Sequence, residues 1–104
     1  MSDCIFCQII KGTLPITLIY EDEHVIVFRD IKPKAPVHLL LVSKEHIESL
    51  AHISEDQAAL IAHMMLLLPK LAQAQGLSGF RTQINTGQTG GQEVPHLHIH
   101  LLGG

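Results

Sequence analysis

His96-Leu97-His98-Ile99-His100-Leu101-Leu102 decides the fold class, because histidine and an aliphatic residue alternate three times. Successive side chains of a β-strand point to opposite faces. As a strand, this segment puts His96, His98 and His100 on one face and Leu97, Ile99 and Leu101 on the other. Neighbouring imidazoles would stand roughly 6.6 Å apart. The aliphatic face belongs in a core. The imidazole face is hard to explain as packing. Imidazole titrates near neutrality and can act as nucleophile, acid, base or metal ligand. Two histidines at i, i+2 can also ligate zinc, so this segment alone leaves a metal site and a catalytic face both open.

Upstream lies Gly87-Gln88-Thr89-Gly90-Gly91-Gln92, a glycine-rich loop ending four residues before His96. Glycines let backbone N–H groups approach a ligand closely, and such turns can form anion nests. Next to three imidazoles, the loop suits nucleophilic phosphoryl or nucleotidyl transfer. A neutral imidazole attacks phosphorus, donors stabilise the phosphate oxygens, and a second histidine serves the leaving group. His98, flanked by a histidine on either side, is the expected nucleophile.

The rest of the chain predicts an α+β domain with a mainly antiparallel sheet. Cys4–Lys11 reads as a short helix stopped by Gly12. Thr17–Tyr20 and Val25–Arg29 read as a hairpin. The segment from Asp30 to Pro36 holds two prolines and reads as a loop. Val37–Val42 reads as a buried strand. Ser43–Leu50 is expected to form a short helix. A long helix is expected from Ser54, where Gln57 completes a capping box, to about Gln75, kinked at Pro69. Phe80–Asn85 reads as a strand. With 104 residues, no repeats and no linker, one domain over 1–104 is expected.

Composition narrows the function. The chain is 46% hydrophobic and 16% charged, with a formal net charge of −3, which fits a globular domain. Its seven Lys and Arg are scattered, so no nucleic-acid partner is expected. No apolar run is long enough to span a membrane. Met1-Ser2-Asp3 lacks the start of a secretory leader, so a cytoplasmic location is expected. The only cysteines are Cys4 and Cys7; in a reducing compartment their Cys-x-x-Cys spacing points to metal or redox chemistry. The apolar residues of Ala58–Leu68 run nearly all round the helix, as expected if it is buried on more than one side.

The histidine strand resembles the signature of the histidine triad (HIT) family. Gly103-Gly104 after it is similar to the family's HINT-like, nucleotide-binding branch. The stretch from Phe28 to His38 resembles the nucleoside-pocket loop, and Asn85 to His96 resembles the phosphate loop. The resemblance implies a HIT-like fold: a five-stranded sheet with one long and one or two short helices, continued across a homodimer. It implies that His98 takes up the nucleotide, that His100 hydrogen-bonds the phosphate or leaving group and donates a proton, and that His38 belongs to the same network. Asp30 would accept from the ribose hydroxyls and Ile31 would pack on the purine. Asn85, Gly91, Gln92 and the backbone near Val94 would surround the phosphate. Ile5, Phe6 and Ile9 would wall the base pocket. Relatives that transfer nucleotides to sugar phosphates carry Gln at the third histidine, so His100 implies hydrolysis. The implied reaction cleaves the P–N bond of a purine nucleoside phosphoramidate, giving AMP or GMP and an amine.

Two departures stand out. Glu93 occupies a place where many animal members have a serine near the phosphate. The chain ends at Gly104, where many relatives continue with a tail to the partner's site, so a broader leaving-group preference is expected. Some family members with a cysteine pair close a structural zinc site, implying Cys4, Cys7, His46 and His96 as ligands here. A non-catalytic purine nucleotide sensor, or a zinc-binding structural domain, would use the same residues.

Overall fold

The structure, a computed structural model, describes residues 4–104. The reading of Met1-Ser2-Asp3 lies outside the described residues. Five strands form one antiparallel sheet in the order β1-β2-β3-β5-β4: β1 (Tyr20–Glu21), β2 (Val25–Arg29), β3 (Val37–Ser43), β4 (Phe80–Gln83) and β5 (His98–Gly103). Two helices, α1 (Ile5–Lys11) and α2 (Ala58–Ala74), complete the α+β fold.

The two-residue period of β5 sorts its side chains as the sequence predicts. Leu97, Ile99 and Leu101 join Leu39, Leu41, Met64, Leu68 and Leu71 in the larger core, between the sheet and α2. Burying each such side chain is worth about 1.5–3 kcal/mol. The histidines fall on the opposite side, which α1 partly covers. There Phe6 and Ile9 of α1 pack on Ile26, Phe28, Leu40 and Val42 in a second, smaller core. Both faces of the central strands are therefore covered. Gly12 ends α1 at φ 82°, and its N–H reaches the carbonyls of Gln8 and Ile9; only glycine takes that left-handed conformation readily.

Several boundaries differ from expectation. Ser43–Leu50 is not a helix. Ser43 ends β3, the Lys44 N–H bonds the His24 carbonyl, and the Ile47 carbonyl accepts from the Leu97 N–H. These long-range bonds hold the segment extended, and only a 3-10 turn, Leu50–His52, follows. The first strand is Tyr20–Glu21 and not Thr17–Tyr20, although the Ile19 N–H still reaches the Val27 carbonyl. The fourth strand stops at Gln83, where Asn85 turns its side chain to the Gly90 carbonyl. β5 begins at His98, because the His96 N–H bonds Val94 and the Leu97 N–H bonds Ile47. The Ser54–Gln57 capping box is present, but it opens a 3-10 turn, Glu55–Gln57, ahead of α2. Pro69 lies within α2, which continues to Ala74. Among the described residues no helix is long and apolar enough to cross a membrane.

Candidate active site and metal centre

The register of β3 against β5 builds the histidine cluster. Leu40 lies opposite His100 and His38 opposite Leu102, so His38 and His100 are diagonal neighbours on the α1 side of the sheet. Their ring nitrogens, His38 Nε2 and His100 Nδ1, are 2.9 Å apart. The His98 and His100 ring centroids are 5.1 Å apart. Every buried side-chain nitrogen and oxygen among the described residues has a hydrogen-bond partner.

Backbone groups fix which nitrogen of each ring carries the proton. A carbonyl only accepts, and the His96 carbonyl lies 2.7 Å from His98 Nδ1. His98 Nδ1 therefore donates, and its Nε2 keeps a lone pair. A backbone N–H only donates, and that of Lys34 lies 3.1 Å from His38 Nδ1. His38 Nδ1 therefore accepts, so its Nε2–H donates to His100 Nδ1. That leaves the proton of neutral His100 on Nε2. The three rings are thus ordered as donor, acceptor and nucleophile before any ligand arrives.

Burial reinforces this order. It lowers the pKa of His98, opposed by the hydrogen bond to the His96 carbonyl and by the charges of Asp30 and Glu93. Burial lowers His100 to about 4, helped by the neighbouring His98 and His38 imidazoles. Both rings are neutral at pH 7, and a neutral His98 can attack an electrophile.

Around this cluster the expected pocket residues are placed as follows. The Phe6 ring stands edge-on to His98 at 5.0 Å. Asp30 Oδ2 lies 3.5 Å from His38 Nε2, while its Oδ1 accepts from the Lys32 N–H at 2.8 Å. Ile31 is 83% exposed in the loop beyond, a place where an apolar side chain gains most by meeting a ligand. Asn85 and Gln92 shape the glycine-rich loop. Asn85 Nδ2 donates to the Gly90 carbonyl. Gln92 Oε1 accepts from the Gly87 N–H, and its Nε2 donates to the carbonyls of Glu48 and Val94. Ile9 is buried and Ile5 half exposed on α1.

Cys4, Cys7, His46 and His96 converge at the N-terminal end of α1, with their ligand atoms all within 4.8 Å of one another. Cys4 Sγ lies 3.2 Å from His96 Nδ1, and Cys7 Sγ lies 3.2 Å from His46 Nδ1 and 3.6 Å from His96 Nδ1. Tetrahedral zinc, with Zn–S about 2.3 Å and Zn–N about 2.0–2.1 Å, spaces such donors about 3.5 Å apart. The His96 Nε2–H donates to the Ser43 carbonyl at 2.6 Å, so its Nδ1 lone pair faces the thiols, an arrangement typical of metal-ligating histidine. Burial lowers the pKa of His96, keeping it neutral as a ligand must be. The donor set fits zinc. Four protein ligands leave no open position, as in structural sites. Asp30, His38 and His100 also cluster, but the direct His38–His100 hydrogen bond accounts for that grouping.

The orienting groups missed in the sequence are all main-chain: the Lys34 N–H and the carbonyls of Ser43 and His96. Their side chains carry no signal of that role. Phe28, edge-on to Phe6 at 5.8 Å, could have been found by its alternation with Ile26 on β2.

Fold and site together define a histidine triad domain, and the chain belongs to the HIT family. A family model described as scavenger mRNA decapping enzyme C-term binding matches residues 3–104. Protein HitA of Neisseria gonorrhoeae is 51% identical over 104 residues, covering 99% of this chain and 97% of that protein. An uncharacterized HIT-like protein of Synechococcus elongatus is 47% identical, covering 99% and 91%. Among solved structures, a HIT family hydrolase from Legionella pneumophila superposes with a TM-score of 0.95 at 46% identity, covering 98% of this chain and 93% of that one. A HIT family hydrolase from Clostridium thermocellum gives 0.95 at 45%, covering 100% and 92%.

Proposed function

We propose that this chain is a purine nucleoside phosphoramidase: it hydrolyses the P–N bond of nucleoside 5′-phosphoramidates through a nucleotidyl-His98 intermediate. The hydrogen bond from His98 Nδ1 to the His96 carbonyl carries this reading, because it leaves the Nε2 lone pair of a neutral ring free to attack. Solved relatives named HIT family hydrolases support hydrolysis.

The Nε2 lone pair attacks phosphorus. The P–N bond breaks with its electron pair going to nitrogen, which takes a proton so that a neutral amine leaves. His100 Nε2–H, held in that form by His38, donates a hydrogen bond to a phosphate oxygen, and the departing nitrogen takes its proton from solvent. Water then attacks phosphorus, the bond from phosphorus to Nε2 breaks, and the proton released replaces the one consumed. The products are the monophosphate and an amine. Asp30 would meet the ribose hydroxyls, Ile31 and Phe6 the purine, and the loop bearing Asn85, Gly91, Gln92 and Val94 the phosphate. Zinc held by Cys4, Cys7, His46 and His96 would be structural, cross-linking α1 to the approach to β5.

A homodimer fits the surface. Every residue of the edge strand β4 is exposed, including Phe80, and α2 exposes Met65 and Leu66. The thiols, not joined in a disulfide, suit a cytoplasmic setting.

The test is AMP release from adenosine 5′-phosphoramidate by wild type and His98→Ala, each with and without chelator. Turnover lost in the variant and kept under chelation is expected. AMP binding without wild-type turnover would refute the enzyme reading in favour of a nucleotide sensor.

A further inference from the structure

The metal centre and the catalytic histidines share one short helix. Cys7 lies in α1 and Cys4 caps it, its Sγ accepting from the Cys7 N–H. One residue before Cys7, Phe6 sets its ring edge-on against His98 at 5.0 Å and against His96 at 5.7 Å. His96 belongs to both sites: its Nδ1 faces the thiols and its carbonyl orients the nucleophile.

α1 is also weakly anchored by itself. It has seven residues and buries only Phe6 and Ile9, well short of the roughly 12–15 residues at which an isolated helix becomes even marginal. Its apolar contact is small, with Ile10 half-buried beside Phe6 and Ile9, and the Cys/His cluster ties its first turn to the rest of the chain. Metal bound by two ligands of α1 and two beyond it holds the helix docked, because binding energy at such a site is folding energy. A docked α1 in turn keeps the Phe6 ring against the nucleophile.

We infer that α1 couples the two sites: zinc at Cys4, Cys7, His46 and His96 and a nucleoside monophosphate at His98 tighten each other's binding, with Phe6 as the positioning residue between them. The inference rests on the nucleotide reading of the histidine site. Both ligands favour the docked helix, so each spares the other part of the ordering cost. By linkage the two enhancement factors are equal. A factor of about ten is expected, toward the modest end of usual site–site couplings.

The experiment uses AMP and zinc as probes. AMP affinity is measured calorimetrically on zinc-loaded and on stripped protein. Zinc affinity is measured by competition with a coloured chelator, with and without saturating AMP. Both factors should be about ten, and AMP should slow amide exchange across α1 in the stripped protein. Should stripping unfold the chain, the zinc competition with and without AMP still reads the coupling. Phe6→Ala keeps all four ligands, so it should still bind zinc, and at AMP concentrations shown by calorimetry to saturate the variant, AMP should cease to alter zinc affinity. Equal AMP affinity in loaded and stripped protein overturns the coupling and leaves the nucleotide reading standing. No AMP binding to loaded protein overturns both. Absence of zinc binding, or full coupling in Phe6→Ala, overturns the route through α1.

Discussion

His38→Phe tests the ordering of the ring protons. His38 is 4% exposed, so water cannot readily replace what it gives up. The variant removes the Lys34 N–H to Nδ1 bond and the Nε2–H to His100 bond. At about 0.5–1.5 kcal/mol net for each hydrogen bond, the loss is about 1–3 kcal/mol. For a domain of this size 2 kcal/mol corresponds to a fall of roughly 8–16 °C in Tm. His100 then has no donor at Nδ1, and its proton is no longer confined to Nε2. Removing one pre-organised donor to the transition state costs about 10²–10³-fold, and leaving the His100 donor partly misoriented should lower kcat by about 10–100-fold. Nitrogen NMR of the imidazoles reads the protons directly. In wild type His98 should carry Nδ1–H, and His38 and His100 should carry Nε2–H. In the variant His98 should be unchanged, because the His96 carbonyl still holds it, while His100 becomes mixed. Wild-type His100 carrying Nδ1–H would refute the ordering, as would a variant with lowered Tm and undiminished kcat.

Three further outcomes are expected. His96, His98 and His100 are held below the ordinary histidine value of 6.5, His100 at about 4, so below pH 6.5 the unfolded chain binds more protons than the folded one. Stability of metal-stripped protein should therefore fall from pH 6.5 toward 4, by up to about 1.4 kcal/mol per pH unit for each histidine; denaturation midpoints that stay flat would contradict it. Gly91 sits at φ +86°, and a Cβ there would lie 3.3 Å from Asn85 Nδ2, so Gly91→Ala should cost about 1–2 kcal/mol and weaken AMP binding, read by melting and calorimetry. Leu66→Glu, at a site 67% exposed on α2, should turn a dimeric wild type into a monomer by light scattering; a monomeric wild type would refute the interface.

The sequence was most legible where one period dominated. Alternation along His96–Leu102 sorted the faces of β5, and Gly12 marked the end of α1, while the Ser54–Gln57 box is present but opens a 3-10 turn ahead of α2. Cys4, Cys7, His46 and His96, brought together in the sequence only through family likeness, do meet in space. Legibility failed where distant backbone bonds outweigh local preference. Ser43–Leu50 has acceptable helical residues, but the bonds of Lys44 to His24 and of Ile47 to Leu97 hold it open, and no local pattern encodes either. The short β1 is another case, since Thr17–Tyr20 has strand-forming residues but only its end meets β2 in the ladder.

That the rings are oriented by main-chain groups has a consequence for mutational scanning. Replacing the Lys34 side chain leaves its N–H where it is, and replacing the His96 ring leaves its carbonyl. A side-chain scan would therefore score Lys34 as dispensable while the atom that matters there remains untouched. An amide-to-ester exchange at residue 34, made by semisynthesis, deletes that one donor and keeps every side chain.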